Sequence, residues 1–178
     1  SVQDRTGTMD HFNVKVIFKT RNKRATVNRG TILLLPGWNY STEEWCTKTS
    51  FCEKAIAKGY NLILPEMEKS VYASRVYPET RQDLRKYATR TWVLDTMIPF
   101  IQKEFELLKP GDNNFVAGIS TGGRGAALIC LDNPQVFIKG ASLSGDFNQA
   151  GMSNDNLMKL YYGSFNSFKE RWTGNDNV

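Results

Sequence analysis

Ser120 lies between Gly118 and Gly122, after the apolar run Phe115-Val116-Ala117 and before the small-residue stretch Gly123-Arg124-Gly125-Ala126-Ala127-Leu128-Ile129. The spacing reads as strand, sharp turn and helix. A serine on so tight a turn is held in a strained backbone conformation, with its hydroxyl thrust clear of the sheet. Side chains at the two flanking positions would collide where strand and helix meet, so glycine is needed there. The helix that follows aims unpaired N–H groups and its positive dipole end at the serine. This is equipment for nucleophilic attack on a carbonyl and for holding the oxyanion that results. A Gly-rich turn after a buried strand would show the same five residues. The strand-turn-helix context favours the nucleophile.

A serine nucleophile needs a base. The chain of 178 residues contains a single histidine, His11, which opens the apolar segment Phe12 to Phe18, far before Ser120. Hydrolases built on this kind of elbow run Ser, then Asp or Glu, then His. His11 therefore reads as a strand-end residue. Three readings stay open. The residues are the front part of a longer enzyme, or the base comes from another chain or fragment, or the serine is a relic without turnover. The first is preferred, because the sequence closes on a polar run, Gly174 to Val178, and opens at Ser1 without a methionine.

The elements that must position Ser120 are legible as alternating apolar runs and helical patterns. Val14–Phe18 and Thr31–Leu35 read as strands, joined as a hairpin by the basic turn around Arg21-Asn22-Lys23-Arg24. Ser41 to Glu44 and Ser50 to Glu53 fit capping boxes, and Gly59 fits a left-handed cap closing the second helix. Tyr60–Leu64 is a short buried strand. Residues 66–78 are irregular. Residues 80–108 carry a helical pattern in Val93, Met97, Ile101, Phe105 and Leu108, which Pro99 should kink or split. Arg81, Arg85, Lys86 and Arg90 read as the solvated face of that helix. After the elbow helix comes a strand over 137–143. Strands alternating with helices imply a mostly parallel sheet covered on both faces. Ser120, Gly37-Trp38 and Gly145-Asp146 all fall at the carboxyl ends of strands, where such sheets carry chemistry.

Composition bounds the alternatives. The length suits one domain, and 40% hydrophobic content suffices for a core. No apolar run approaches the roughly 18 residues that span a bilayer. A net charge of +5 is mildly basic. Without an aromatic-interleaved basic platform it does not argue for nucleic acid. Cys46, Cys52 and Cys130 lack metal-ligand spacing, and no metal or other cofactor is expected. Cys130 reads as core, while Cys46 and Cys52 are free to pair if the protein is exported. Localisation stays open between cytoplasm and export with a removed signal.

Three stretches together resemble the α/β-hydrolases: Thr31-Ile32-Leu33-Leu34-Leu35-Pro36-Gly37-Trp38, the elbow Gly118 to Gly123, and Ala141-Ser142-Leu143-Ser144-Gly145. Within that superfamily the chain resembles the esterase group that includes S-formylglutathione hydrolase and feruloyl esterases. The likeness runs from about Thr31 to the end. It implies a single, partial α/β domain over residues 1–178, C-terminally incomplete, because the family's acid and histidine follow later strands. Many relatives have His-Gly where this chain has Pro36-Gly37.

The resemblance also implies an acyl transfer on a small-molecule ester. Ser120 would attack, and the oxyanion would take N–H groups from Thr121 and Trp38, with Asn39 a substitute and Gly37 beside the substrate. Asp146 is a candidate triad acid or substrate contact, against its plainer reading as a turn residue. Tyr72 and Tyr77, above the sheet, would line an acyl or alcohol pocket or pack a surface loop. Tyr161, Tyr162, Phe165 and Phe168 are pocket wall, or core that a missing segment covers, in which case this end exposes an apolar patch. A missing C-terminal fragment or second chain is the partner the resemblance implies. The alternative is an inactive binding protein on the same fold.

Overall fold

Leu33, Leu34 and Leu35 are all fully buried although consecutive side chains of a strand face opposite ways. That requires cover on both faces of the sheet, and the structure supplies it. The computed structural model describes residues 14–24, 27–86, 89–148, 151, 153–174 and 176. His11 lies outside these.

Among the described residues, β1 (Val16–Lys19), β2 (Gly30–Leu35), β3 (Tyr60–Pro65), β4 (Asn114–Ile119) and β5 (Lys139–Leu143) form one five-stranded sheet in the order β1-β3-β2-β4-β5. β2 runs parallel to β3 and β4, and β4 parallel to β5. On one face, Leu33 and Leu35 join Val116, Met97, Ile101 and Ile129. On the other, Leu34 joins Ile17, Leu62, Leu64, Cys52 and Ile56. The chain is thus a mostly parallel α/β sheet with helices on both faces.

The expected hairpin does not form. β1 pairs antiparallel with β3, from Val16 opposite Pro65 to Lys19 opposite Leu62. The connection over residues 20–29 is too long for a tight hairpin turn. The crossover through α1 (Glu44–Thr47) and α2 (Phe51–Ala57) brings β3 back parallel to β2 and leaves β1 the outer edge. Neither capping box forms. Ser41 sits outside α1, its hydroxyl accepting from Glu43 N–H at 3.3 Å and donating to Glu66. Ser50 is at the N-cap of α2 without a side-chain bond, and Thr49 Oγ1 accepts from Phe51 N–H instead. Gly59 does close α2 with φ 100°.

Pro99 acts as its chemistry requires. A 3-10 helix (Gln82–Lys86) precedes α3 (Arg90–Trp92), and a π-helical turn over Val93–Met97 leads into α4 (Ile98–Phe105). The wider turn accommodates the N–H that proline lacks. The basic residues of this region are not one solvated face. Arg85 donates to the carbonyls of Tyr77, Pro78 and Thr80, and Arg90 is buried. α5 (Thr121–Asp132) follows the elbow, and α6 (Asn156–Tyr162) and α7 (Lys169–Thr173) come after β5.

Cys46 and Cys52 form a disulfide that ties α1 to α2. Closing so short a loop should stabilise the fold by about 2 kcal/mol. Reductant is expected to lower the melting temperature by about 4–8 °C. Thermal melts with and without dithiothreitol check this, and a Cys46→Ser/Cys52→Ser variant should melt at the reduced value regardless of reductant.

Candidate active site

Ser120 has φ 56° and ψ −122°, a backbone conformation that costs free energy in any residue with a side chain. It is exposed at the C-terminal end of β4. Its N–H donates to Leu143 O at 2.8 Å, and its carbonyl accepts from Gly123 and Arg124 at 2.9 and 3.2 Å. These bonds tie the turn to β5 and to the first turn of α5. The flanking glycines are sterically forced. A Cβ on Gly118 would lie 1.9 Å from Gly122 O, and one on Gly122 would lie 2.4 Å from Pro36 O.

The loop after β2 comes up against the serine. A Cβ on Gly37 would sit 3.3 Å from Ser120 Cβ. Two backbone N–H groups, of Thr121 at the head of α5 and of Trp38, have no acceptor among the described residues. The Asn39 N–H is taken by Glu68 O at 2.9 Å, so it is no spare oxyanion donor. Thr121 Oγ1 and Ser142 Oγ are buried beside the elbow without partners among the described residues.

Strain is concentrated at this end of the sheet. Asn39, Glu68, Tyr72, Ser120 and Ser144 all have φ between 52° and 56°. They stand in the loops after β2, β3, β4 and β5. The segment after β3 also holds the loop after β2 through Glu66, whose carboxylate accepts from Thr42 N–H at 3.0 Å and from the Ser41 hydroxyl. Desolvation raises the Glu66 carboxyl above the ordinary range, against the pull of those hydrogen bonds.

Tyr72 is not a pocket wall. It is fully buried, and its hydroxyl donates to Pro36 O at 2.8 Å. Tyr77, Tyr161 and Tyr162 are core as well, packed with Val71, Met158 and Trp172 above the sheet, with Trp38 and Phe165 at the margin. The apolar exposure lies elsewhere. Ile119, Leu131, Ile138, Leu143 and Phe147 are exposed around β5, the open edge of the sheet. Fully extended backbone pairing demands cover at such an edge.

Asp146 is paired with a buried cation. Its carboxylate lies 3.8 Å from the guanidinium of Arg124, which is completely buried. Desolvation raises its pKa, opposed by Arg124. Sequence reasoning missed Arg124 and its neighbour Asp176. Arg124 donates to Val71 O and Asp176 O. The Asp176 carboxylate accepts from Arg90, Ser74 N–H and the Tyr162 hydroxyl at 2.8–2.9 Å. The available signal was a lone arginine within the small-residue and apolar stretch Gly122 to Ile129.

Two concavities lie away from Ser120. One of about 320 Å³ opens at the N-terminal ends of β2 and β4, around Gly30, Thr31 and Asn113. Another of about 370 Å³ lies beside Cys46 and Cys52. Among the described residues no His/Cys/Asp/Glu cluster fits a metal, and no helix is long and apolar enough to cross a membrane.

The model of the family described as "Putative esterase" matches residues 13–178. No curated protein matches the chain at the level of sequence. Among solved structures, it is similar to a fluorophosphonate-binding serine hydrolase of Staphylococcus aureus, solved with substrate bound, at 20% identity and TM-score 0.74. That match covers 99% of this chain and 70% of the other. An S-formylglutathione hydrolase from Staphylococcus aureus gives the same values. One from Agrobacterium tumefaciens matches at 14% identity and TM-score 0.66, covering 96% of this chain and 67% of the other. At these identities the structural likeness establishes the α/β-hydrolase fold.

Proposed function

Since the chain belongs to this esterase family, we propose that it carries the nucleophile and oxyanion hole of a serine esterase that works through an acyl-serine. The observation that carries the reading is the Ser120 turn: an exposed serine on a strained φ of 56°, at the head of α5 and against the Gly37 loop, whose Thr121 and Trp38 N–H groups have no acceptor among the described residues. The Ser120 Oγ adds to an ester carbonyl and its proton passes to a base. The carbonyl oxygen becomes an oxyanion held by the N–H groups of Thr121 and Trp38. Collapse expels the alcohol, which takes up a proton, and leaves an ester on Ser120. Water then attacks that ester and releases the acid. The histidine and the acid that would complete the triad are supplied from outside the described residues. Asp146 is committed to Arg124.

A fluorophosphonate probe tests this, since it reports covalently on a serine set beside an oxyanion hole, slowly even where the base is missing. One of the neighbours binds such a reagent. Intact-mass analysis should show a single adduct on the chain and none on Ser120→Ala. The reaction should be slow, because elbow and oxyanion hole without a base leave only about 10³–10⁴ over water. Absence of an adduct after prolonged exposure would favour an inactive binding protein on the same fold.

A further inference from the structure

We propose that Tyr72 is a positioning residue that sets the oxyanion hole, by holding the Pro36 carbonyl with its hydroxyl while its ring abuts the helix that carries the other donor. The proposal rests on the serine esterase reading above and adds a residue that touches no substrate.

The two donors belong to different elements. Thr121 N–H is the head of α5, and Trp38 N–H is in the loop after β2. Something must fix their separation, because an oxyanion is held well only by donors at about 2.7–3.1 Å from its final position. Tyr72 touches both elements. Its hydroxyl donates to Pro36 O at 2.8 Å. Its ring is so close to α5 that a Cβ on Gly125 would lie 2.6 Å from its Cγ. The Pro36 carbonyl also faces α5 directly, 2.4 Å from where a Gly122 Cβ would stand. Pro36, Gly122, Gly125 and Tyr72 therefore form one close-packed joint.

The donor peptide itself is bracketed. On one side the Pro36–Gly37 peptide is held through its carbonyl by Tyr72. On the other the Trp38–Asn39 peptide is held through its N–H by Glu68 O at 2.9 Å. Between them lies the Gly37–Trp38 peptide, whose N–H has no acceptor among the described residues and whose carbonyl accepts from Tyr40 N–H at 3.3 Å. Glycine at 37 gives this peptide rotational freedom, which the bracket and the long Tyr40 bond together remove. Tyr72 is itself well anchored. Its backbone has φ 54°, its carbonyl accepts from Arg90 at 3.0 Å, and its N–H donates to the Ser70 hydroxyl at 3.1 Å. Burial pushes the phenol well above its ordinary pKa, so the hydroxyl stays a donor at any working pH. No proton is transferred in this role.

Tyr72→Phe removes one oxygen and keeps the ring against Gly125, so the variant should fold. Single-turnover acylation of the full chain by p-nitrophenyl acetate, with Ser120→Ala as the blank, reads the effect. The saturating acylation rate should fall about 10- to 100-fold, the scale of a misplaced reacting group. The half-saturating ester concentration should change less than about threefold, because Tyr72 does not meet the ester. In a Trp38→Pro background, which lacks the donor, Tyr72→Phe should have almost no further effect. If Trp38→Pro fails to fold, the split between rate and half-saturation decides alone.

An unchanged rate in Tyr72→Phe overturns the proposal. So does a loss carried by half-saturation, which would make Tyr72 a substrate contact, or full additivity with Trp38→Pro, which would make it general packing. If the parent shows no acylation above Ser120→Ala, the esterase reading fails and this proposal falls with it. Normal parent acylation with an indifferent Tyr72→Phe sinks the positioning role only.

Discussion

Asp176→Ala should cost about 3–5 kcal/mol of stability, the usual penalty for breaking a buried ion pair from one side. Asp176 is 2% exposed and its carboxylate lies 2.9 Å from Arg90, which is 3% exposed. The same carboxylate accepts from Ser74 N–H and from the Tyr162 hydroxyl. Alanine removes the carboxylate acceptor from the buried Arg90 guanidinium and from the buried Tyr162 hydroxyl. Arg90 keeps its bond to Tyr72 O at 3.0 Å and a longer contact with Asp132 at 3.7 Å. Desolvation and the Asp176 charge already push the Tyr162 phenol well above its ordinary pKa, so it cannot ionise to help. Urea unfolding of parent and variant measures the loss, and the melting temperature should drop by about 6–20 °C. Asp176→Asn retains acceptor and shape and should fall in between. A variant within about 0.5 kcal/mol of the parent would mean that water reaches this hub. The hub ties residues 71–74, α3, α5 and α6 into the roof over the sheet, on whose margin Trp38 packs. Loosening it should also blur the oxyanion loop.

Gly118→Ala should be worse for the site than for any other glycine of comparable exposure. The added methyl would meet Gly122 O at 1.9 Å, Gly122 C at 2.3 Å and Gly123 N at 2.9 Å, all of them backbone. No side chain can rotate away, so strand and helix must separate. Overpacking of a closed core costs about 1–3 kcal/mol and occasionally more, and this contact belongs at the upper end. The elbow would open, and fluorophosphonate labelling should disappear even in protein that remains folded. Gly111→Ala is the control. Its φ of 86° strains an alanine, but nothing lies within 4 Å of the new methyl. It should cost about 1–2 kcal/mol and leave labelling intact. Equal behaviour of the two variants would show that the tight strand-helix junction is not what holds Ser120 up.

The elbow was legible in five residues because its cause is local. Cβ atoms at 118 and 122 cannot coexist with that turn, so the pattern of types records the geometry directly. The same holds for Gly59 and for the π turn before Pro99, where one residue's missing side chain or N–H dictates the backbone. The β2 run of leucines likewise announced a strand buried on both faces.

Other features were decided only when distant segments met. The hairpin expected between β1 and β2 lost to a parallel return of β3, because strand order depends on which crossover covers which face. Tyr72 reads as a pocket aromatic in one dimension, yet its hydroxyl meets Pro36, 36 residues away. Arg90 reads as surface and is buried by Asp176, 86 residues on. The sequence by itself determined the Ser120 turn and the class of sheet, since sterics and periodicity act over a few residues. Only the tertiary structure decided which amide beside Ser120 is left without an acceptor among the described residues. Asn39 and Trp38 are neighbours with the same backbone chemistry, and they differ because Glu68 accepts from one and nothing among the described residues accepts from the other.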